Sequence, residues 1–530
     1  MLYFIPSWYR QEDWSENEQS WHVSRKQSEF DDTVKQVQLF HRSGAYPYFI
    51  LLLSYAPNFR HFLHRQGVFH APYWSCFDAI QEVRKSKAAL FSFRNLNWPK
   101  GIEYVYSPFA VVARLQGQKY AQIEFGEDGN MIRIDMYKGG RIRRRNLYDD
   151  RGFISSTILY ENSKPVYQDY LTEEGVWKMR VFFLDGHVEI NPEHSNYLII
   201  YKRIDNHRQF RKLLYLDLEE VICEVFSEYA KLAFSTDLFC VSMHKRHTAM
   251  LGKVLKDQKM ILSFFEDRYP IDGRPELLEM LRDASYVVTD SKENTAKLLQ
   301  IYDEGRERIT DISPYDSRVD FGISSQLAVQ KILVPFDGLE DSRFVDLICV
   351  LASYLKTNQN AQVHLFTRKA DYDIADLILE KTREILREAG YDTGWAEQER
   401  HFYAAENRLN EQTSTVRFFV EQCVDELAVS KCMREQRLIV DLREVPTLYL
   451  QISAISMGIP QLVSRETQFL VDGKNGRVIQ GKDELFRALQ FYLDVLSNWN
   501  DAMVASYELG KKFSTAELIE KWKEVIKTVG

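Results

Sequence analysis

Apolar positions divide this chain into stretches of different period. Residues 2–6, LYFIP, are an apolar run that predicts a buried strand at the outset. A polar, acidic stretch follows over 10–35, with Trp14 and Trp21 as anchors, and residues 46–63 hold a strand or helix and an aromatic-rich segment. Helical spacing in SCFDAIQEVRKS predicts a helix ending near residue 87. From about 89 the pattern becomes short alternating runs. MIRIDMY (131–137) places Ile132, Ile134 and Met136 on one face and Arg133 and Asp135 on the other, and KMRVFFL (178–184) is similar. Turn signals recur at Gly126–Gly129, Gly139-Gly140, 149–152, 173–175 and Asp185-Gly186. A spacing of about 10–12 residues between such turns predicts a β-meander.

Strands alternating with helices resume after residue 212. LFCVSMH, MILSFF and SYVVTD read as strands, with a helical stripe at Leu277, Met280, Leu281 and Ala284 and an N-cap at Ser291. A link over 311–326 leads to a second series: KILVPFDG, QVHLFT, RLIVDL and IPQLVS as strands, with helices over 374–390, 485–496 and 515–527. Two such series predict two doubly wound parallel sheets and an α/β class. The boundaries are 1–88 and 213–315 for the first Rossmann-like domain, 89–212 for an inserted β-sheet domain, and 316–530 for the second Rossmann-like domain, with the final helix crossing back.

Composition narrows the function classes. At 530 residues the length alone gives about three to four domains. Hydrophobic residues at 45% and charged residues at 27% are ordinary for a globular chain. A net charge of -8 argues against a general nucleic-acid binder. Six scattered cysteines without a C-x-x-C pair predict a reducing, cytoplasmic setting and no disulfide scaffold. The opening MLYFIPSWYRQEDW lacks a basic n-region and does not read as a signal peptide. His244 and His247 are spaced i, i+3 after a strand, with no further ligand motif beside them, so a polar strand end is favoured over a metal site. With Lys245 and Arg246 they are candidate contacts for a glycan or acceptor. Arg141, Arg143, Arg144 and Arg145 read as a charged β edge or as a docking strip for an acidic partner or anionic lipid head groups. No motif of a serine hydrolase or P-loop ATPase is present.

Residues 437–489 carry a more specific signal. A strand, then Ala454 to Ser464 around Gly458 and Pro460, then Val471 to Gly476, then Glu484 to Leu489, keep order and spacing over about fifty residues. This resembles the C-terminal half of GT-B glycosyltransferases. YDDRGF (148–153) and residues 166–183 look like the β-sheet add-on of bacterial enzymes that place N-acetylglucosamine on serine-rich repeat adhesins. The chain as a whole most resembles the first of the accessory secretory proteins of the streptococcal and staphylococcal accessory Sec system. That resemblance implies a GT-B arrangement and a role in exporting a glycosylated serine-rich repeat adhesin. It implies as partners the second and third accessory secretory proteins, the accessory Sec motor ATPase and the adhesin, and a position in the cytoplasm with peripheral contact at the inner face of the membrane.

The transferase pattern itself is eroded. A departing nucleotide diphosphate needs cations and a helix N-terminus, and the donor sugar or ribose needs a carboxylate. The family's two Glu positions, with seven residues between them, align with Val445 and Ser453; Glu444 is one position off. Its phosphate-binding Arg and Lys align with Gly338 and Arg343, amid Asp337, Glu340 and Asp341. No glycine precedes Gly44, although active relatives often use one after the first strand. The expectation is therefore a degenerate donor cleft, no catalytic residues and no cofactor. The alternative is an active retaining enzyme that transfers N-acetylglucosamine from UDP to a protein acceptor, with Glu444 and Arg343 in shifted roles.

Overall fold

The computed structural model describes residues 1–9, 13–15, 18–22, 30–89, 91–318, 320–397 and 416–530. They form two compact units, Met1–Ile312 with Trp522–Gly530, and Ser313–Lys521.

The first unit is built on a seven-stranded sheet. Its order is Ile309–Asp311, Tyr286–Thr289, Lys259–Phe264, Leu238–Ser242, Leu2–Ile5, Tyr48–Leu52 and Tyr73–Ser75, and every pairing is parallel. A parallel sheet is covered on both faces, so its strands can be apolar throughout. Leu2, Phe4 and Ile5 are fully buried at its centre. Trp522, from the last helix, packs edge-on against Phe4 and Phe40. The strand order reverses between Leu2–Ile5 and Leu238–Ser242, so the loops that follow these two strands part there and leave a crevice.

Residues 102–215 add a ten-stranded sheet that runs as an antiparallel meander from Ile102–Tyr106 to Val188–Ile190, with Leu214–Tyr215 on its far edge. A separate hairpin pairs Asn196–Tyr201 with Ile204–Gln209. Four two-residue turns have both central residues at positive φ: Gln116-Gly117, Gly139-Gly140, Asn162-Ser163 and Lys202-Arg203. This is the turn whose twist matches the flanking strands. Lys202 and Arg203 carry no glycine signal, and the sequence pattern alone does not mark that turn.

Several local expectations are corrected. The helix expected to end near 87 stops at Gln81. Glu82 enters the left-handed region at φ 56, and its carboxylate accepts from Lys178 Nζ (2.7 Å) and Asn196 Nδ2 (2.6 Å). Asp135, expected outward, is buried, because Arg145 clasps its carboxylate at 2.7 and 2.8 Å. Strand Arg141–Asp149 lies inside the meander, between Met131–Lys138 and Phe153–Glu161, and is not an edge.

The second unit has a six-stranded parallel sheet: Phe418–Gln422, Ala361–Thr367, Gln330–Pro335, Gln436–Asp441, Gln461–Val463 and Gly476–Val478. The outer two strands were not expected. Residues 471–476 feed a sixth parallel strand beside Gln461–Val463 and do not close a hairpin. The order again reverses at the centre, between Gln330–Pro335 and Gln436–Asp441.

A buried ionic network fastens the meander to the first sheet's helices. Arg60, on helix Phe59–Arg65, binds Asp150 through Nε and Asp149 at 3.3 Å, with all three side chains at most 5% exposed. Asp150 also accepts from the backbone N–H of Arg60 (2.9 Å) and His61 (3.3 Å). It thereby caps a helix whose own N-cap residue, Asn58, makes no side-chain cap bond. Arg151 closes the set with Asp149 (2.7 Å) and Asp78 (2.7 Å). Arg60→Ala leaves buried Asp150 without its direct cation and Asp149 with Arg151 alone. It should cost the first unit about 3–5 kcal/mol in urea unfolding followed by tryptophan fluorescence; a loss below about 1 kcal/mol would contradict this role.

Candidate functional site at the strand ends

In the second unit the central reversal point lies between the loop after Gln330–Pro335 and the loop after Gln436–Asp441. The chain's own charged groups fill it. Asp441, the last residue of its strand, is 2% exposed and holds Arg443 by two bonds, Nε at 2.7 Å and Nη2 at 2.6 Å. The same guanidinium donates from Nη1 to the Asp337 carbonyl (3.1 Å) and from Nη2 to Thr447 Oγ1 (3.0 Å). Arg443 therefore stitches the two loops across the place where an open α/β sheet holds its ligand. Thr447 is the N-cap residue of helix Leu448–Met457 but makes no side-chain cap bond to it.

The residues expected to form a degenerate donor cleft fall around this clasp. Gly338 has φ +80, and a Cβ there would meet nothing within 4 Å. The glycine is needed for backbone conformation, and an arginine at this position would be strained. The Asp337 carboxylate accepts from Thr367 Oγ1 (2.8 Å) and the Arg368 N–H (2.7 Å). Arg343 is half-exposed; it faces Glu340 at 3.6 Å and donates to the Leu442 carbonyl at 3.0 Å. Glu444 and Val445 lie exposed on the loop. Ser453 is nearly buried and returns its hydroxyl to the Tyr449 carbonyl at 2.7 Å, inside its own helix. Gly458 ends that helix at φ +72, where a Cβ would sit 2.5 Å from Met503 Cγ. Arg343 and Arg443 are thus both engaged, with Glu340 and Asp441 respectively, and Asp341 pairs with Lys381.

The first unit's reversal point is filled in the same way. Tyr9, Trp14 and His247 are at most 5% exposed. His247 Nδ1 bonds Tyr9 Oη (2.7 Å), and Nε2 bonds the Ser242 carbonyl (2.6 Å). The carbonyl can only accept, so Nε2 carries the proton and Nδ1 accepts from the tyrosine. Burial pulls His247 down from 6.5 to about 3, so the ring is neutral. Arg268 lies beside it, clasped by Asp31 (3.0 Å) and Asp32 (2.6 Å). Burial and the neighbouring Asp32 raise Asp31 to about 6. Asp31 in turn caps helix Asp32–Ser43 through the Thr33 and Val34 N–H groups.

A family model for an accessory Sec system protein, the first of the Asp series, matches residues 1–529. The chain belongs to that family. It is similar to the accessory Sec system protein of the same description from Streptococcus gordonii, at 32% identity over 99% of both chains. It is also similar to a chain in the crystal structure of accessory secretory proteins 1, 2 and 3 of Streptococcus pneumoniae. There the TM-score is 0.80 and the identity 28%, covering 100% of this chain and 99% of that one. The pneumococcal O-GlcNAc transferase GtfA, solved with UDP and GlcNAc, matches with a TM-score of 0.69 at 10% identity, over 100% and 98% of the two chains. That likeness concerns the fold, and the fold is GT-B.

The remaining expected sites of this accessory Sec family member divide by burial. The strip expected at residues 244–247 does not hold for His247, which is fully buried. Arg246 is half-buried with its guanidinium 5.1 Å from the Trp14 ring, while Lys245 is exposed. Of the arginine run, Arg145 is committed to Asp135, and Arg141, Arg143 and Arg144 are exposed. Arg143 is the extra residue of a bulge, since Met136 pairs with Arg144 and Tyr137 with Ile142. Trp8, Tyr9 and Trp14 are core residues, and Trp21 is exposed and stacked on Phe109. Arg443 and Asp441 were missed at the sequence level. The Asp-x-Arg at the end of a buried strand was the available signal.

The His247 geometry fixes a pH dependence. Its folded pKa lies below the unfolded value, so the unfolded chain binds the extra proton and stability falls as pH drops from about 6.5 toward 3. Asp31, raised to about 6, acts oppositely between about 4 and 6. The difference between wild type and His247→Gln removes that second contribution. Between pH 7 and 5 the wild type should lose about 2 kcal/mol relative to the variant, at about 1.36 kcal/mol per unit below 6.5. Urea midpoints of the two proteins that run parallel over this range would refute the assignment.

Proposed function

We propose that this chain is a non-catalytic, glycosyltransferase-like component of the accessory Sec system, needed for export of a glycosylated serine-rich repeat adhesin. It acts by binding protein and glycan surfaces and not by transferring sugar. One observation carries the reading: Arg443, bound to Asp441, Thr447 and the Asp337 carbonyl, occupies the strand-end position where a GT-B donor's phosphates need unpaired cations. Ser453 in place of a carboxylate and Gly338 in place of a cation support it from the sequence side.

The pneumococcal relative was solved with accessory secretory proteins 1, 2 and 3. By that likeness the partners of this chain are the second and third accessory secretory proteins; the accessory Sec motor ATPase and the adhesin itself are added by its resemblance to accessory Sec components. The exposed Arg141, Arg143 and Arg144 suit an acidic partner or anionic lipid head groups, and His244 and Lys245 suit a glycan. No helix among the described residues is long and apolar enough to cross a membrane. Within this reading the chain works in the cytoplasm, with peripheral contact at the inner face of the membrane, as its resemblance to accessory Sec components implies.

Calorimetric titration of the full chain with UDP and with UDP-N-acetylglucosamine tests the reading, alongside a turnover assay on the unglycosylated adhesin. The expected result is a dissociation constant weaker than about 1 mM, equivalent to less than about 4 kcal/mol, and no transfer. Micromolar nucleotide binding with turnover would establish the retaining glycosyltransferase instead.

A further inference from the structure

Outside the strand-end crevices, one cluster among the described residues brings metal-binding chemistry together. Strand Phe418–Gln422 is the outer strand of the second unit's sheet, on the Ala361–Thr367 side. Glu421 and Cys423 lie two residues apart at its end, where the Cys423 N–H still donates to the Thr367 carbonyl (2.9 Å). The chain then turns into helix Glu426–Arg434, whose N-cap Asp425 accepts the Ala428 N–H at 2.7 Å. Its last turn returns Cys432 to the strand. One carboxylate oxygen of Glu421 and the two Sγ atoms lie within 4.8 Å of one another.

We propose that Glu421, Cys423 and Cys432 form a site for a thiophilic divalent cation of the zinc class. A tetrahedral ion with Zn–S of about 2.3 Å and Zn–O of about 2.0–2.2 Å sets its ligand atoms roughly 3.5–3.8 Å apart. A contraction of about 1 Å, which side-chain torsions can supply, therefore closes the set. Two thiolates and one carboxylate match the ligand preference of zinc over magnesium or calcium. Cys423 is 4% exposed, whereas Glu421 and Cys432 are half-buried, which leaves one side open for water as the fourth ligand.

The surroundings hold the ligands in place. His364 Nδ1 bonds the Glu421 carboxylate at 2.7 Å, and its ring stacks on Phe419 with centroids 5.2 Å apart. Gln436 Nε2 is directed at Cys432, to its carbonyl (3.0 Å) and its sulfur (3.6 Å). Both contacts are of the kind that orients a metal ligand from behind. On binding, each cysteine S–H breaks, its proton leaves to solvent, and a sulfur–metal bond forms. No oxidation is involved. The ion would pin the outer strand to the helix that follows it, across a span of twelve residues counted from Glu421 to Cys432.

Cobalt provides the probe. The full chain, reduced and stripped with chelator, is titrated with Co2+ alone. One equivalent should produce thiolate-to-cobalt charge-transfer absorption in the near ultraviolet and tetrahedral d–d bands in the visible. Zn2+ should abolish both. Cys432→Ser should remove most of the charge-transfer intensity, Glu421→Gln should shift the d–d bands and weaken binding at least tenfold, and Cys349→Ser should leave the spectrum unchanged. Wild-type protein without thiolate bands at stoichiometric cobalt would overturn the proposal whatever the variants do. Bands that persist in a folded Cys432→Ser protein, or loss of two titratable thiols to a disulfide on mild oxidation with no cobalt spectrum, would overturn it too.

Discussion

A carboxylate buried among the loops at strand ends and helix starts needs a cation or hydrogen-bond donors, and this requirement organises both units. Asp441 finds Arg443, and Asp31 and Asp32 find Arg268. At the meander, Asp149 and Asp150 find Arg60 and Arg151. Removing one partner of such a set is costly, whereas replacing a whole set by apolar residues often is not. The pairs therefore matter more for where they hold the loops than for net stability. Several of these carboxylates also receive backbone N–H groups, as Asp31 does from Thr33 and Val34 and as Asp337 does from Arg368. They occupy the role that a bound anion takes at the strand ends of other α/β proteins.

This has a direct consequence for function. A doubly wound sheet offers its main crevice where the strand order reverses, and here each crevice contains the protein's own residues. Tyr9, Trp14 and neutral His247 fill one, and the Arg443 clasp spans the other. Exposed charge remains on the ten-stranded meander, where Arg141, Arg143 and Arg144 face solvent. A GT-B scaffold is suited to crevices filled in this way, because its stability resides in the buried strands and not in the loops at their ends.

Much of this was legible in the residues. Apolar runs at 2–6, 238–244, 331–338 and 437–442 marked the central strands, because a strand buried on both faces needs no alternation. Glycine and aspartate turns marked the meander. What escaped depended on tertiary contact. Lys202 and Arg203 adopt a glycine-like turn without glycine, and Gly476–Val478 is too short to show a pattern. The helix at Cys76 breaks early because buried Lys178 claims Glu82. At the candidate site, Val445, Ser453 and Gly338 could be set against the family's carboxylate and cation positions from spacing, but the reach of Arg443 to the Asp337 carbonyl could not. Arg443 looks like any arginine after a strand until Asp337 is seen to lie across from it. Cys423 and Cys432 likewise carry no ligand spacing and meet only because a turn and a helix fold them together.

The residues at 338, 443 and 453 of the second unit are each held by local contacts, and these bear on whether a donor site could be built there. An arginine at 338 would have to accept φ +80, a conformation that favours glycine. A glutamate at 453 would replace a hydroxyl that bonds Tyr449 within a nearly buried helix face, adding volume and charge together. Freeing Arg443 for a phosphate would leave Asp441, 2% exposed, without its cation. Each step toward a donor site is unfavourable until the others are in place, so no single substitution recovers one.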